Sequence, residues 1–213
     1  MRAPFVALAL ACAVAPVAAQ QAEKASSALA AGWQARVDKK AAGEGLENVK
    51  FVPMGGGFHA TMGMANAIFW NPKHEAKGEF ELAASFTQTR KPAMHAEGYG
   101  LVFNGAHLDQ PNQSYVYFLV REGKFLINHR AGEEVHKIVP WTDHAAINKS
   151  DADGKHTNTL TVRVVGNDVN YLVNGQVVHK QLREHVNPDG IVGLRVNMHL
   201  DLHIADFKVT PAK

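Results

Sequence analysis

Two pairs of turn residues, each between two short apolar runs, constrain the fold more than any other feature of this sequence. Asn174-Gly175 interrupts DVNYLVNGQVVHK, and Glu122-Gly123 interrupts SYVYFLVREGKFLINHR. Asn-Gly is the strongest two-residue hairpin signal because both turn positions need a positive φ. We therefore predict two antiparallel hairpins; the first along the chain, which turns at Glu122-Gly123, has Tyr115 opposite Arg130.

Most of the remaining sequence consists of short runs rich in Val, Phe, Tyr, Ile and Thr that Gly, Asn, Asp and Pro separate. This texture is typical of an all-β sandwich. Strands are predicted at FHATMG, AIFW, GEFELAASFTQT, YGLVFN, TLTVRVV, GIVGLRVN and HLDLHIADFKV. In the third of these, alternation places four apolar residues on one buried face: Phe80, Leu82, Ala84 and Phe86. The predicted architecture is a two-sheet antiparallel sandwich with a short N-terminal helical or irregular segment, in one domain spanning residues 20–213.

The first 19 residues, MRAPFVALALACAVAPVAA, have the layout of a secretory signal peptide. A positive charge at Arg2 precedes a short apolar run, and small residues precede a cleavage point after Ala19. A lipoprotein anchored through Cys12 is the weaker alternative, because Ala9 stands where Leu is usual and the apolar run continues. Cys12 is the only cysteine, so packing and backbone pairing must hold the mature chain together. The protein is expected in the periplasm or outside the cell.

The charges are nearly balanced. Of 22 Lys and Arg and 20 Asp and Glu, cleavage would remove only Arg2. This balance gives no electrostatic reason to expect nucleic acid or an anionic membrane as a partner. No later stretch is long and apolar enough for membrane insertion.

The order of the motifs carries a family resemblance. The chain resembles the concanavalin A-like lectin/glucanase jelly-roll superfamily in the succession AIFWNP, GEFELAASFTQT, YGLVFNG, YVYFLVREGKFLINHRAG, NTLTVRVVGNDVNYLVNGQVV, DGIVGLRV and ADFKV. It is most similar to the laminin-G-like branch and to bacterial 3-keto-disaccharide hydrolase-like domains. The resemblance covers Trp33 to Val209 and implies a jelly roll with a frequent association with carbohydrate. Its motifs are fold motifs, which do not settle function.

The familiar catalytic patterns are absent from the sequence. Glucanases of this superfamily carry Glu-x-Asp-x-x-Glu on one strand, because retaining hydrolysis needs two carboxyl groups about 5 Å apart. The nearest approach, Glu79-Phe80-Glu81, lacks the third carboxylate and is typical of a solvated strand edge. No Gly-x-Ser-x-Gly places a serine on an elbow, and the mature chain has no cysteine nucleophile. No catalytic residue is predicted.

A His-x-Asp-x-His pattern at His199, Asp201 and His203 raises the question of a metal site. Same-face residues of a strand lie about 6.5 to 7 Å apart, so the two histidines would be about 13 Å apart and cannot share one ion. We predict the polar outer face of a strand, with no metal ligand and no cofactor.

The same segment contains a change of parity. Leu200, Leu202 and Ile204 alternate in one phase, while Phe207 and Val209 alternate in the other. Both sets can face the core only if the strand slips by one residue, so we predict a β-bulge near Ala205-Asp206.

A ligand face is predicted on the side of the first hairpin that points away from the core. It carries Tyr115, Tyr117, Asn128 and Arg130, which place aromatic rings beside planar hydrogen-bonding groups, as a sugar-binding surface requires. Six further residues are predicted to border or extend it: His95, Tyr99, Trp141, Arg195, Asn197 and His199. The alternative is that the two tyrosines are partly buried strand residues with only their hydroxyls at the edge.

The sequence thus favours an exported, non-catalytic, lectin-like module that binds a carbohydrate or a related polar ligand. Two alternatives stay open. One is an enzyme of the 3-keto-disaccharide hydrolase type that uses His, Asp and Glu residues in an arrangement invisible in sequence. The other is an envelope protein whose sandwich face binds a protein partner.

Overall fold

The computed structural model describes residues 28–38, 45–92 and 94–212, and most of these residues belong to β-strands. Short 3-10 helices lie at Leu46–Asn48 and Arg183–His185. The strands are, in chain order, β1 (Ala28–Leu29), β2 (Gln34–Val37), β3 (Lys50–Met54), β4 (Gly57–Thr61), β5 (Ala67–Ala76), β6 (Phe80–Gln88), β7 (Tyr99–Ala106), β8 (Ser114–Arg121), β9 (Lys124–Ala131), β10 (Glu134–Asp143), β11 (His156–Val165), β12 (Asp168–Val173), β13 (Gln176–Leu182), β14 (Gly190–Val196) and β15 (Asp201–Pro211).

These strands form two sheets. The eight-stranded sheet has the order β1-β3-β4-β15-β6-β11-β12-β13, and the seven-stranded sheet has the order β10-β9-β8-β7-β14-β5-β2. β1 and β3 run parallel, whereas the central pairs of the seven-stranded sheet, β7 with β8, β8 with β9 and β7 with β14, are antiparallel. The prediction of an all-β, two-sheet antiparallel jelly roll is confirmed.

The two sheets pack through their apolar inner faces. Phe69 and Phe118 of the seven-stranded sheet lie in one buried cluster with Leu82, Phe86 and Leu160 of the eight-stranded sheet. Each large apolar side chain buried in this way contributes about 1.5 to 3 kcal/mol. Strand alternation therefore sends one set of side chains into this core and the other set to the outer face of each sheet.

Both predicted hairpins are present. β8 and β9 pair with Tyr115 opposite Arg130, and β12 and β13 are joined by Asn174-Gly175. Asn174 has a φ of 51° and Gly175 a φ of 80°, as a two-residue turn between twisted antiparallel strands requires. The inner face of the first hairpin lies in the core, as predicted.

The predicted bulge in the last strand is also present. The pairing of β15 with β6 shifts between Ala205 and Lys208, and Asp206 has a positive φ of 55°. Phe207 and Val209 consequently pack against the same core that buries Ile204 on the other side of the bulge.

The sequence from β14 into β15 does not form one continuous strand. β14 ends at Val196 in the seven-stranded sheet, and β15 begins at Asp201 in the eight-stranded sheet. Arg195 and Asp201 therefore lie on different sheets, and His199 occupies the turn between them with a φ of 60°. The strand predicted at HLDLHIADFKV is therefore present only from Asp201 onward.

Two predictions concern residues beyond the described ranges: the signal peptide, residues 1–19, and Cys12. Of the segment around Trp33, the structure describes a buried tryptophan followed by the short strand β2. Within the described ranges, no helix has the length and apolar character needed to cross a bilayer.

Replacing Gly175 by Ala tests the hairpin. A Cβ at this position meets no atom within 4 Å, so the cost arises only from the positive φ. We expect a loss of about 1 to 2 kcal/mol in the free energy of unfolding, measured by urea denaturation. The neighbouring exposed Gln176→Ala should change stability by less than about 0.5 kcal/mol. Equal effects of the two variants would contradict the turn geometry.

Candidate functional site

The outer face of the seven-stranded sheet carries the residues predicted for a ligand face. Tyr115, Tyr117 and Leu119 of β8 lie there with Leu126 of β9 and Trp70 of β5 in a second apolar cluster. Tyr115 is 0% and Tyr117 5% exposed. Neither tyrosine ring therefore offers an open surface on which a sugar ring can stack.

A single carboxylate organises the polar part of this face. Asp38, directly after β2, accepts hydrogen bonds from both terminal nitrogens of Arg195, one of them at 3.0 Å. Arg130 Nη2 lies 3.2 Å from Asp38 Oδ2, and the Tyr115 hydroxyl donates to Oδ1 at 3.1 Å. Four donors thus converge on two carboxylate oxygens, which a planar guanidinium fork is well suited to bind.

The charges of this cluster stabilise the ionised form of Asp38. Burial by itself would raise the pKa of Asp38, but the charge and hydrogen bonds of Arg195, the charge of Arg130 and the Tyr115 hydrogen bond lower it below its ordinary value. Burial raises the pKa of Tyr115, so its hydroxyl keeps its proton and acts as a donor. At neutral pH the cluster holds one negative and two positive charges.

The second tyrosine completes the cluster. The guanidinium carbon of Arg195 lies 4.6 Å from the centre of the Tyr117 ring, a cation–π contact. Asn128 Nδ2 donates to the Tyr117 hydroxyl at 3.0 Å. Five of the predicted residues are thus brought together around Asp38: Tyr115, Tyr117, Asn128, Arg130 and Arg195.

A cavity of about 1030 Å³ adjoins this cluster. Asp38 and Trp70 line it, as do Arg36 of β2 and residues on the β7–β8 and β9–β10 connections. Its lining residues are Gln34, Ala35, Arg36, Val37, Asp38, Gly45, Leu46, Glu47, Trp70, Asp109, Pro111 and Glu133. The cavity brings carboxylates and a guanidinium, groups that can bind sugar hydroxyls, next to the buried Trp70.

Arg36 shapes one wall of the cavity. Its Nη1 donates to the backbone oxygen of Gln110 at 2.6 Å, which ties β2 to the connection between β7 and β8. Asp109 and Glu133 are exposed at the rim. Their carboxylates are accessible to a ligand, whereas the oxygens of Asp38 are already occupied by protein donors.

Three other predicted residues lie together at the opposite end of the outer face. His95 Nε2 is 2.7 Å from Glu97 Oε1, and Asn197 Nδ2 donates to Glu97 Oε2 at 3.2 Å. Trp141 packs over Gly98, where an added Cβ would come within 3.1 Å of its ring. Arg121 covers the Trp141 ring at 4.1 Å. This group lies at the border of the outer face and is separate from the Asp38 cluster.

Tyr99 and His199 join neither group. Tyr99 points into the core between the sheets, where its hydroxyl contacts His156 Nε2 at 2.8 Å and accepts from Asn158 Nδ2 at 3.1 Å. His199 lies in the turn after β14, where its backbone N–H donates to Gly63 O. Strand alternation explains the first placement, because Tyr99 has the parity of the buried Leu101.

The Tyr99 contact continues into a chain of polar side chains that does not form a catalytic triad. His156 Nδ1 lies 3.2 Å from Ser150 Oγ, and Ser150 also donates to Glu122. In a triad the carboxylate orients the imidazole and the imidazole activates the serine. Here the carboxylate of Glu122 contacts the serine itself and not the imidazole. These hydrogen bonds therefore hold the loop of Ser150 in place and do not activate a nucleophile.

Of the His-x-Asp-x-His pattern, Asp201 and His203 lie on the outer face of the eight-stranded sheet, whereas His199 lies in the turn before β15. His203 is paired with His59 across β15 and β4, and Asp201 Oδ1 accepts from His59 Nε2 at 3.1 Å. Arg90 Nε is 3.2 Å from the other oxygen of Asp201. Across residues 28–38, 45–92 and 94–212, no group of three His, Cys, Asp or Glu side chains is placed to hold a metal ion.

The comparisons with known proteins bear on the fold. No protein-family model and no curated protein match this sequence. Among solved structures, the carbohydrate binding module CBM66 from Bacillus subtilis is similar with a TM-score of 0.58 at 11% identity, over 85% of this chain and 98% of that one.

Two lectin structures are also similar. The VIP36 exoplasmic/lumenal domain in its Ca2+/Man-bound form has a TM-score of 0.56 at 9% identity, over 84% of this chain and 83% of that one. The metal-free Emp46p carbohydrate recognition domain has a TM-score of 0.53 at 14% identity, over 85% and 89%. The chain therefore has the concanavalin A-like jelly-roll fold. The narrower likeness to 3-keto-disaccharide hydrolase-like domains stays a prediction.

Asp38→Asn tests the buried cluster. The substitution removes the only carboxylate that the described residues place against Arg130 and Arg195, which leaves two buried cations without a counter-charge. We expect a loss of about 3 to 5 kcal/mol in the free energy of unfolding at pH 7. The exposed Asp153→Asn, on the loop before β11, should leave stability within about 0.5 kcal/mol of wild type.

The same pair of variants gives a pH signature. The pKa of Asp38 is lower in the folded protein than in the unfolded chain, so its contribution is complete above about pH 4 and is lost as the pH falls through the folded-state pKa. Wild type and Asp153→Asn should therefore lose stability over this acid range more steeply than Asp38→Asn. Parallel pH profiles would contradict the assignment.

Proposed function

We propose that the protein is an exported, non-catalytic carbohydrate-binding module and that its ligand binds in the cavity beside Asp38 and Trp70. The observation that carries this proposal is the composition of the cavity, in which the exposed carboxylates of Asp109 and Glu133 lie beside the guanidinium of Arg36. Sugar hydroxyls donate hydrogen bonds to carboxylates and accept them from guanidinium groups, so this lining suits a polar sugar ligand. The names of the similar structures, a carbohydrate binding module and a carbohydrate recognition domain, support the same ligand class.

The buried cluster has a supporting role in this proposal. Tyr115, Tyr117, Arg130 and Arg195 are closed off from solvent and do not line the cavity, so they support Asp38 from behind and are not a contact surface. Supporting residues whose side chains are held by hydrogen bonds keep the accessible groups of a site in fixed positions. Direct contacts with the ligand are assigned to Asp109 and Glu133 at the rim and to Arg36 in the wall.

Substitutions at the rim test the proposed site. A glycan array first identifies a bound sugar, and isothermal titration then compares its affinity for wild type, Asp109→Asn and Glu133→Gln. A hydrogen bond from a sugar hydroxyl to a carboxylate is worth about 1.5 to 3 kcal/mol, so each variant should bind at least about 10-fold more weakly. Both residues are exposed, so neither change should affect folding.

Two controls make the test specific. The exposed Asp153→Asn removes a carboxylate outside the cavity and should bind like wild type. Tyr117→Phe keeps the ring but removes the hydroxyl that accepts a hydrogen bond from Asn128. This variant tests whether the buried cluster behind Asp38 contributes to ligand binding. Unchanged affinity in both rim variants would place the site elsewhere. A wild-type protein that binds no glycan would overturn the proposal itself.

An enzyme that acts on sugars is the second candidate. The observation in its favour is that four carboxylates line the same cavity, Asp38, Glu47, Asp109 and Glu133, and a pair of carboxyl groups is what glycoside hydrolysis requires. Against it, Asp38 is held in the ionised form by two arginines, so it cannot serve as a general acid near neutral pH.

A turnover assay separates the two candidates. Ordinary disaccharides and their 3-keto forms are incubated with wild type and with Glu133→Gln, and the products are followed by mass spectrometry. The module predicts binding without product. Product formed by wild type and lost in Glu133→Gln would replace the module with the enzyme.

A further inference from the structure

Two histidines oppose each other at the free edge of the seven-stranded sheet. His129 of β9 pairs with His136 of β10, and their ring centres lie 5.8 Å apart with the planes inclined by 27°. β10 is the last strand of the described sheet and has β9 as its neighbour on one side. The stacked imidazoles therefore belong to the strand pairing that holds β10 in place.

The paired segment that contains these histidines is short. Pairing is regular over the four residues from Glu134 to Lys137, and the register then shifts before Val139 and again before Thr142. Pro140 lies between the two shifts and has no N–H to donate. A short pairing at a sheet edge opens at a lower free energy than the interior strands do.

Both rings face the mouth of the apolar core. His129 shares the parity of Ile127, which lies in the cluster between the sheets, and both histidines line a cleft of about 260 Å³ together with Val116 and Ile138. Burial, with the neighbouring His136 as a smaller cause, lowers the pKa of His129 below its ordinary value. The neutral ring therefore stabilises the fold above about pH 6.5, and this contribution is lost as the pH falls through the folded-state pKa.

The charged groups that face the pair lie at the exposed rim of the cleft. Glu134 Oε2 is 3.5 Å from His136 Nε2, and Glu184 and His185 reach the cleft from the 3-10 helix after β13. All three of these rim side chains are largely exposed, so water screens their charges. Lys137 has the opposite parity and points to the other side of β10. The rim carboxylates therefore offset a charge on the pair only weakly.

The uncharged groups around the pair allow either protonation state. Ser114 Oγ of β8 lies 2.9 Å from His129 Nε2, and a hydroxyl can accept from an N–H or donate to a bare nitrogen. β7 contributes the amide of Asn104 to the cleft. Protonation of His129 therefore leaves its contact with Ser114 intact, and the new repulsion arises between the two rings.

The turn at the end of this hairpin lies at the cavity beside Asp38. Glu133 stands in the turn between β9 and β10 and lines that cavity. Arg130, next to His129 on β9, points to the outer face and pairs with Asp38. Opening of β10 at this end would displace Glu133 from the rim, while Arg130 keeps its contact on β9.

We infer that the pair of His129 and His136 is an acid-sensitive latch of the β9–β10 hairpin. Histidine gains its positive charge as the pH falls from about 8 to 5. Charging of both rings places like charges directly opposite each other in a strand pair, which is destabilising. The hairpin then shifts toward an open form in which Glu133 leaves the cavity, so ligand binding and hairpin opening oppose each other. This coupling to a ligand rests on the proposed function, whereas the opening of the hairpin does not.

Hydrogen exchange of backbone amides at pH 7 and pH 5 tests the latch. Protection factors, which correct for the intrinsic pH dependence of exchange, should fall at least about 3-fold in acid for the protected amides of Glu134 to Lys137, the size expected for opposed like charges. Amides of β8 should change less. His136→Gln keeps a polar, exposed side chain that cannot be charged, so the fall should disappear. The matched control His95→Gln removes an exposed histidine outside the hairpin and should keep the fall.

The same exchange experiment with the best-binding glycan tests the coupling. A ligand at 10 times its Kd that binds only the closed hairpin should raise the β10 protection factors about 10-fold at pH 5. Constant β10 protection in wild type between the two pH values, or an equal fall in His136→Gln, would overturn the latch whether or not a glycan binds. Unchanged β10 protection with glycan bound would overturn the coupling. If no glycan binds, the proposed function fails, and exchange of the free protein alone decides the latch.

Discussion

The structure depends on apolar packing between the inner faces of two sheets, because the chain has one cysteine and hence no internal disulfide. Leu82, Phe86 and Leu160 on one side and Phe69 and Phe118 on the other exclude water from this layer. This packing requires strict alternation of core-facing and outward-facing side chains along each strand, since a slip of one residue would expose a whole strand face. The bulge in β15 satisfies that constraint where the parity of the sequence changes.

The outer face of the seven-stranded sheet lies outside this core, and a different set of contacts covers it. There Asp38, directly after the edge strand β2, forms ion pairs with Arg130 of β9 and Arg195 of β14. These ion pairs link the edge strand to strands farther across the sheet. This contact buries Tyr115 and Tyr117 and leaves the accessible polar groups around the neighbouring cavity. The same cluster that secures the edge thereby determines where a ligand can approach.

Local signals in the sequence were enough to predict the two hairpins, the core face of β6 and the bulge. They were not enough for β10, whose apolar pattern is broken by Pro140 and by two register shifts against β9. Asp38 had no local signal either, because it lies 157 positions from Arg195 in sequence. Tyr99 was assigned to the ligand face by its proximity to a loop, although its parity with Leu101 points it into the core.

The central claim, that the cavity beside Asp38 binds carbohydrate, is tested most directly by mapping backbone amide shifts during a titration with the best-binding glycan. The account predicts that the largest nitrogen-15 and proton shift changes fall on Gln34 to Asp38, Asp109 and Glu133, which line the cavity. Changes confined to the loop around His95 or to the outer face of the eight-stranded sheet would contradict it.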